Sequence, residues 1–218
     1  DAHLLAYDCR GHGKSDKPAG PYTVEQYAHD LAALFDHLGW TSAAVAGCSM
    51  GGMAAEAFGG LYPGRATGLG LIDTSAWYGA EAPKTWRERA AKARKDGLAG
   101  MVEFQTSRWF SDKFRAENPE LVKAAAEVFL ANDLAAYAAA CVLLGDADLR
   151  RFQPEFKMPV AIIVGEEDYA TPHEMARQMH QAIAGSTLTI LPKARHLTPI
   201  ECAHRIAVEL RALLGRTT

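Results

Sequence analysis

The apolar positions of this chain fall into two alternating patterns, short continuous runs and stretches with a helical period. His3-Leu4-Leu5-Ala6-Tyr7 is a short apolar run closed by Asp8, and it predicts a buried strand. Thr23 and Gln26 have the spacing of a capping box, so a helix is expected from there to Leu38, with Gly39 as its stop. Leu31, Leu34, Phe35 and Leu38 would share one face of it. Ala43-Ala44-Val45-Ala46 predicts the next strand. The turn Gly47-Cys48-Ser49-Met50-Gly51-Gly52 leads into a second helix ending near Tyr62-Pro63, and Leu69 to Asp73 predicts a third strand. Strand, helix, strand, helix, strand is the order of a parallel sheet.

The rhythm then breaks. From Ala76 to Arg151 the chain reads as helical, with Asn118-Pro119-Glu120 opening one helix and Asp133 another that runs to Leu144. Trp77, Trp86, Phe104, Trp109, Phe110 and Phe114 lie here, and the acidic and basic side chains nearly cancel. Long insertions between strands usually carry function. Alternation resumes with a strand at Val160 to Val164, a helix at Pro172 to Ile183, a strand at Thr187 to Leu191 and a helix at Ile200 to Leu214. The expected organisation is a core in two parts, residues 1–75 and 152–218, around a helical cap at 76–151.

Composition narrows the class without changing it. The 218 residues are 49% hydrophobic and 22% charged, as in ordinary globular chains, and the formal net charge is -3. No basic run suggests nucleic acid, and no apolar run is long enough to span a bilayer. The four cysteines, Cys9, Cys48, Cys141 and Cys202, are widely spaced with no C-x-x-C pair. That disfavours metal and redox motifs and fits a reducing compartment, with the cytoplasm as the default expectation.

The candidate chemistry centres on Gly47-Cys48-Ser49-Met50-Gly51, a G-x-S-x-G run that follows a predicted strand and opens a predicted helix. Such an elbow needs glycines because the central serine sits in a strained turn and flanking side chains would collide with strand and helix. The Met50 N–H would then face a developing oxyanion from a helix N-terminus. The competing reading is an inert Gly-rich turn. A serine hydroxyl needs a base. Of eight histidines, His29, His37, His180 and His204 fall in predicted helices, His3 at the first strand, His173 at a helix start and His12 in a Gly-rich loop. His196 follows the last predicted strand, where catalytic residues of parallel sheets gather; its alternative is a surface loop histidine. The orienting acid has three candidates after the strand ending at Val164: Glu166, Glu167 and Asp168. Asp168 is preferred, with Asp73 second.

These features resemble the α/β-hydrolase superfamily over essentially the whole chain. Asp8-Cys9-Arg10-Gly11-His12-Gly13-Lys14-Ser15 is similar to its D-x-R-G-x-G-x-S segment, and Gly165 to Pro172 is similar to its G-x-x-D-x-x-T-P acid loop, which favours Asp168 over Asp73. The order Ser49, Asp168, His196 is the superfamily's triad order. Within it, Gly20-Pro21-Tyr22-Thr23, Gly47 to Met53, Arg108-Trp109-Phe110, Tyr137 to Cys141 and Asp148-Leu149-Arg150 most resemble the 3-oxoadipate enol-lactonases.

The resemblance implies an α/β-hydrolase fold, a mostly parallel sheet with flanking helices and a helical cap. The implied reaction is cofactor-free hydrolysis of a small carboxylated enol-lactone or related ester in aromatic catabolism. A cation is expected near the pocket, and Arg108 beside Trp109 is the candidate substrate-binding pair. No nucleic-acid or membrane partner is implied, and a homo-oligomer is compatible with the resemblance. Cys48 stands where such enzymes often carry Leu, and it reads as a small buried hydrophobe rather than a nucleophile. Cofactor-free haloperoxidases or perhydrolases, general carboxylesterases and non-catalytic ligand-binding modules share the fold and are the alternatives.

The five predicted strands correspond to the family's fourth to eighth. The resemblance therefore places three strands and a second oxyanion donor before Asp1, and a gap is expected between the first two strands of this chain.

Overall fold

Four parallel strands in the order β1-β2-β3-β4 form the sheet of the computed structural model, which describes residues 3–217. They are β1 (Ala43–Cys48), β2 (Ala66–Ile72), β3 (Val160–Gly165) and β4 (Thr187–Leu191). The register runs Leu69↔Val160 through Ile72↔Ile163, and Ala161↔Thr187 through Gly165↔Leu191. All four C-terminal strand ends therefore emerge on one edge.

The two-residue period of the strands sends side chains to two separate helical layers. Leu69, Leu71, Ile162 and Val164 pack into a core shared with α1 (Val24–Leu38), α2 (Met50–Leu61) and α8 (His173–Ala182). Ile72 and Ile163, on the opposite face, meet Ile206 and Leu210 of α10 (Ala203–Leu214). Helix α1 begins at the expected capping box, with both reciprocal bonds formed, and ends at Gly39, whose φ of 69° is left-handed. Its buried stripe is Val24, Tyr27, Ala28, Leu31, Ala32 and Phe35. Leu38 departs from the expected face and is 40% exposed.

Between β2 and β3 lie α3 (Ala82–Asp96), α4 (Val102–Trp109), α5 (Asp112–Glu117), α6 (Pro119–Leu130) and α7 (Leu134–Asp146). Asp133 caps α7 by accepting from the Ala136 N–H. A single antiparallel bridge, Trp77 to Asp148, closes the base of this segment. The last helical stretch starts earlier than the sequence pattern suggests. The short α9 (Thr198–Glu201) precedes α10, with a break at Cys202. Among the described residues no single helix is long and apolar enough to cross a membrane.

The strand expected at His3 to Tyr7 is not formed. These residues carry no strand pairing, and Leu4 is 82% exposed. Apolar character alone does not make a strand, because the backbone needs a ladder partner. Among the described residues none pairs with the outer edge of β1. An apolar trough of about 460 Å³ separates β1 from residues 3–7. The sheet of the described residues therefore has four strands where five were expected.

Candidate active site

Three loops at the C-terminal sheet edge supply the site. The first is the turn from β1 into α2. Ser49 adopts φ 55° and ψ -119°, a conformation an L-residue holds only under tertiary constraint. Its N–H donates to the Ile72 carbonyl at 2.8 Å, and its own carbonyl accepts from the Thr74 hydroxyl at 2.6 Å. The glycines play different parts. A Cβ on Gly47 would collide with the backbone of Gly51. A Cβ on Gly52 would come within 2.6 Å of the Thr74 side chain. Gly51 faces open space, so the crowded position after the serine is the second glycine rather than the first. Met50 is the first residue of α2, and a helix-start N–H has no intrahelical acceptor.

The second loop follows β3. Asp168 is 3% exposed, and its Oδ1 accepts from the Ala170 and Thr171 N–H groups at 2.7 and 2.9 Å. Its Oδ2 accepts from the Thr171 hydroxyl at 2.7 Å. The third loop follows β4 and carries His196, 5% exposed. His196 Nδ1 lies 2.8 Å from Asp168 Oδ2, and Nε2 lies 2.9 Å from Ser49 Oγ. Ser49, His196 and Asp168 are thus brought into one hydrogen-bonded line from three separate loops.

The electrostatics of this line are uneven. Burial pushes the Asp168 carboxyl up, but the bond to His196, the His196 charge and the Thr171 donors outweigh it and hold it below the ordinary carboxylate range. Asp73, at the end of β2, behaves oppositely. Burial pushes its carboxyl up to about 7, against the pull of His196 and Thr198. Cys48 Sγ lies 3.8 Å from Asp73 Oδ2, and burial with the adjacent acids drives its thiol well above the usual range. A thiol so disfavoured as a thiolate is a poor nucleophile.

Above the line is a space of about 160 Å³, lined by Ser49, Met50 and His196 from the core. Arg108 and Trp109 of α4, the pair expected from the sequence, both line it. Arg108 donates to the Tyr169 carbonyl, and the Trp109 ring meets Phe129 edge-on at 5.5 Å. His12 also lines the space, with its Nδ1 3.1 Å from the Arg10 carbonyl. Its loop is fastened by the two-pronged Arg10–Asp30 pair. Of the other histidines, His29 bonds Tyr62, His180 bonds Ser186 and His173 pairs with Glu174, all away from this space.

Tyr78, Arg89 and Gln105 carry no signal in the linear sequence, while Tyr137 lies in a stretch that marks the resemblance and Trp86 among the aromatics of the insertion. All five come from the segment between β2 and β3 and meet only when its helices pack. Arg89 sits in a helix dense with charges, where nothing in the spacing separates it from solvated neighbours. Arg195 is the other surprise. It is buried beside His196 and donates to the carbonyls of Ser107 and Phe110 at 2.7 and 3.0 Å. The Leu197 N–H donates to the Trp109 carbonyl at 2.9 Å. The loop carrying His196 is thereby fixed to α4 from both sides.

Residues 1–203 match the family described as serine aminopeptidase, S33. The chain is 33% identical to 3-oxoadipate enol-lactonase 2 of Acinetobacter baylyi over 213 residues, covering 98% of this chain and 79% of that one. Among solved structures, the enol-lactonase from Burkholderia xenovorans LB400 superposes with a TM-score of 0.91 at 34% identity, covering 96% of this chain and 79% of the other. A thermophilic esterase from Thermogutta terrifontis, solved with malate bound, gives a TM-score of 0.89 at 30% identity, covering 96% and 78%. The chain belongs to the α/β-hydrolase superfamily, as a carboxylic ester hydrolase related to the 3-oxoadipate enol-lactonases.

Proposed function

We propose that this protein hydrolyses a small carboxylated enol-lactone of the 3-oxoadipate type through Ser49, His196 and Asp168. The observation that carries the proposal is the continuous line from Ser49 Oγ through the imidazole to Asp168, with contacts of 2.9 and 2.8 Å. Ser49 Oγ attacks the lactone carbonyl while His196 Nε2 takes its proton. The ring C–O bond then breaks as His196 passes that proton to the leaving enol oxygen, and the enol tautomerises to the 3-oxo group. In an enol-lactone the freed oxygen stays on the acyl chain, so the acyl-enzyme retains every atom of the substrate. His196, neutral again, next deprotonates a water that attacks the acyl carbonyl; the bond to Ser49 Oγ breaks as His196 returns the proton to the serine, releasing the 3-oxo dicarboxylate. Asp168 holds the tautomer that presents Nε2 to the serine and stabilises the imidazolium. The Met50 N–H donates to the oxyanion.

The substrate class rests on two supports. The relatives of 30% or more identity include enol-lactonases, and the Thermogutta esterase was solved with malate, a dicarboxylate, bound. The space of about 160 Å³ directly above Ser49 suits a compact ring at the reacting carbonyl. In this reading the helices between β2 and β3 act as the cap, and Arg108 and Trp109 contact the substrate. Four cysteines without disulfides fit a reducing compartment such as the cytoplasm.

The test is the decay of enol-lactone absorbance beside hydrolysis of p-nitrophenyl acetate. Lactone turnover that is abolished in Ser49→Ala supports the proposal. Ester turnover with no lactone turnover assigns a general carboxylesterase instead, and neither activity removes the hydrolase mechanism.

A further inference from the structure

The space above Ser49 opens into a second, larger chamber of about 480 Å³, and the two share Tyr78, Trp86, Arg89, Arg108 and Ala170. Two guanidinium groups therefore stand at the junction. Both lie against the same ring, with Arg89 5.5 Å and Arg108 5.2 Å from the centre of Phe104. Arg89 also covers Trp86 at 5.0 Å. Such stacking holds a guanidinium plane in place without consuming its edge donors.

Their polar partners are all neutral. Arg89 donates from Nε to the Tyr137 hydroxyl at 3.0 Å and from Nη2 to Gln105 Oε1 at 2.5 Å. Arg108 donates to a backbone carbonyl. Among the described residues neither takes part in an ion pair. Glu81 and Glu88 line the outer chamber without closing on either group. Burial and the charge of Arg89 together lower the pKa of Arg108, against the opposing pull of Asp168. A guanidinium has five N–H donors, and Arg89 uses two of them on these neutral partners. A purely structural link between helices α3, α4 and α7 needs no positive charge, and it would not leave that charge facing a cavity.

We propose that Arg89 is the principal carboxylate receptor of this protein, acting with Arg108 at the junction of the two chambers. Its ligand is the free carboxylate of a small acyl ester or lactone, or of the dicarboxylate product. Tyr137 and Gln105 fix the guanidinium, so its remaining N–H groups can donate to a carboxylate in a two-point contact. The inference rests on the hydrolase reading for its role in turnover but not for the binding itself. It also revises the weighting the sequence suggests, since Arg108 was the expected cation and Arg89 carries the better-anchored fork.

The test uses adipate, a six-carbon dicarboxylate, with adipamide as the neutral control. Calorimetric titration should show adipate binding to the wild type, and adipamide binding at least about tenfold weaker. Arg89→Gln should raise the adipate Kd about tenfold or more, and Arg89→Lys, which keeps charge but loses the fork, by a smaller factor. The kcat/KM ratio of carboxylated lactone to neutral ester should fall by about the same factor. If the Gln variant does not fold, the Lys variant decides. An adipate Kd equal to wild type in the folded variant, or no adipate binding to the wild type, overturns the receptor. Adipate binding that depends on Arg89 in a protein that cleaves no ester or lactone leaves the receptor standing and overturns the hydrolase reading.

Discussion

Asp73 Oδ2 lies 2.6 Å from the hydroxyl of Thr198, two residues beyond His196, while the imidazole itself bonds Asp168. The two acids at the sheet edge therefore have different tasks. Asp73 also accepts from the N–H groups of Thr198 and Gly165, which fastens the His196 loop to the end of β3. Asp168→Asn should lower kcat by about 10³–10⁴-fold, because the wrong imidazole tautomer would face Ser49. Asp73→Asn places amide hydrogens against existing donors. It should cost about 1–3 kcal/mol of stability and less than about 10²-fold in kcat. Thermal unfolding and steady-state kinetics on both variants check this, and an equal kcat loss in the two would contradict it.

The two glycines after Ser49 should respond differently to the same change. Gly52→Ala drives a Cβ into Thr74, whose hydroxyl holds the Ser49 carbonyl, and should cost about 1–3 kcal/mol. Gly51→Ala meets nothing within 4 Å, and it should be neutral or stabilise α2 by up to about 1 kcal/mol. Denaturant titration separates the two, and comparable destabilisation would rule out the packing argument.

Glu56 makes stability depend on pH away from the active site. It is fully buried on α2, its Oε1 accepts from Gln153 Nε2 at 2.8 Å, and its Oε2 has no partner. Burial raises its carboxyl to about 7. The folded state thus binds this proton more tightly than the unfolded state does. Stability from this group is greatest below the ordinary glutamate range and declines as pH rises toward 7, by about 3 kcal/mol in all. Glu56→Gln should flatten that decline, so its Tm relative to wild type should improve from pH 5 to pH 8.5. Parallel Tm–pH curves for the two proteins would refute it.

Arg195 should prove structural despite its place beside His196. Its buried guanidinium serves the carbonyls of Ser107 and Phe110, and the Arg195 N–H donates to Glu201. Arg195→Met strands those acceptors and should cost about 1–3 kcal/mol. The loosened His196 loop should lower kcat by up to about 10²-fold. Arg195→Lys should restore only part of either, since an ammonium cannot span the same acceptors. A Met variant with unchanged Tm would show that the anchor is dispensable.

Much of the site was legible because its signals are local. Ser49 announces itself by flanking glycines between a strand pattern and a helix pattern. His196 and Asp168 each follow an apolar run of β-branched character, and in a parallel sheet such positions share one edge. The strand expected at His3 to Tyr7 does not form because a short apolar run reports what a segment could bury, whereas a strand exists only when a ladder partner stands beside it. Leu38 departs from its expected face similarly, since helical spacing marks a face but not where neighbouring packing ends. The acid could be narrowed by the local loop pattern, but its contact with His196 is a distance between β3 and β4 loops.

The sequence by itself determined the parallel α/β order, the strained serine turn and the two loops that meet it, because each depends on backbone preferences within a few residues. Tertiary structure decided which acid faces the imidazole, that Arg195 is a tether, and that Arg89, among the described residues, bonds only neutral partners over the site. Those outcomes depend on how α3, α4 and α7 pack together and against the sheet edge. The charge of Arg89 is visible in the sequence, but that it forms no ion pair among the described residues depends on how the helices pack.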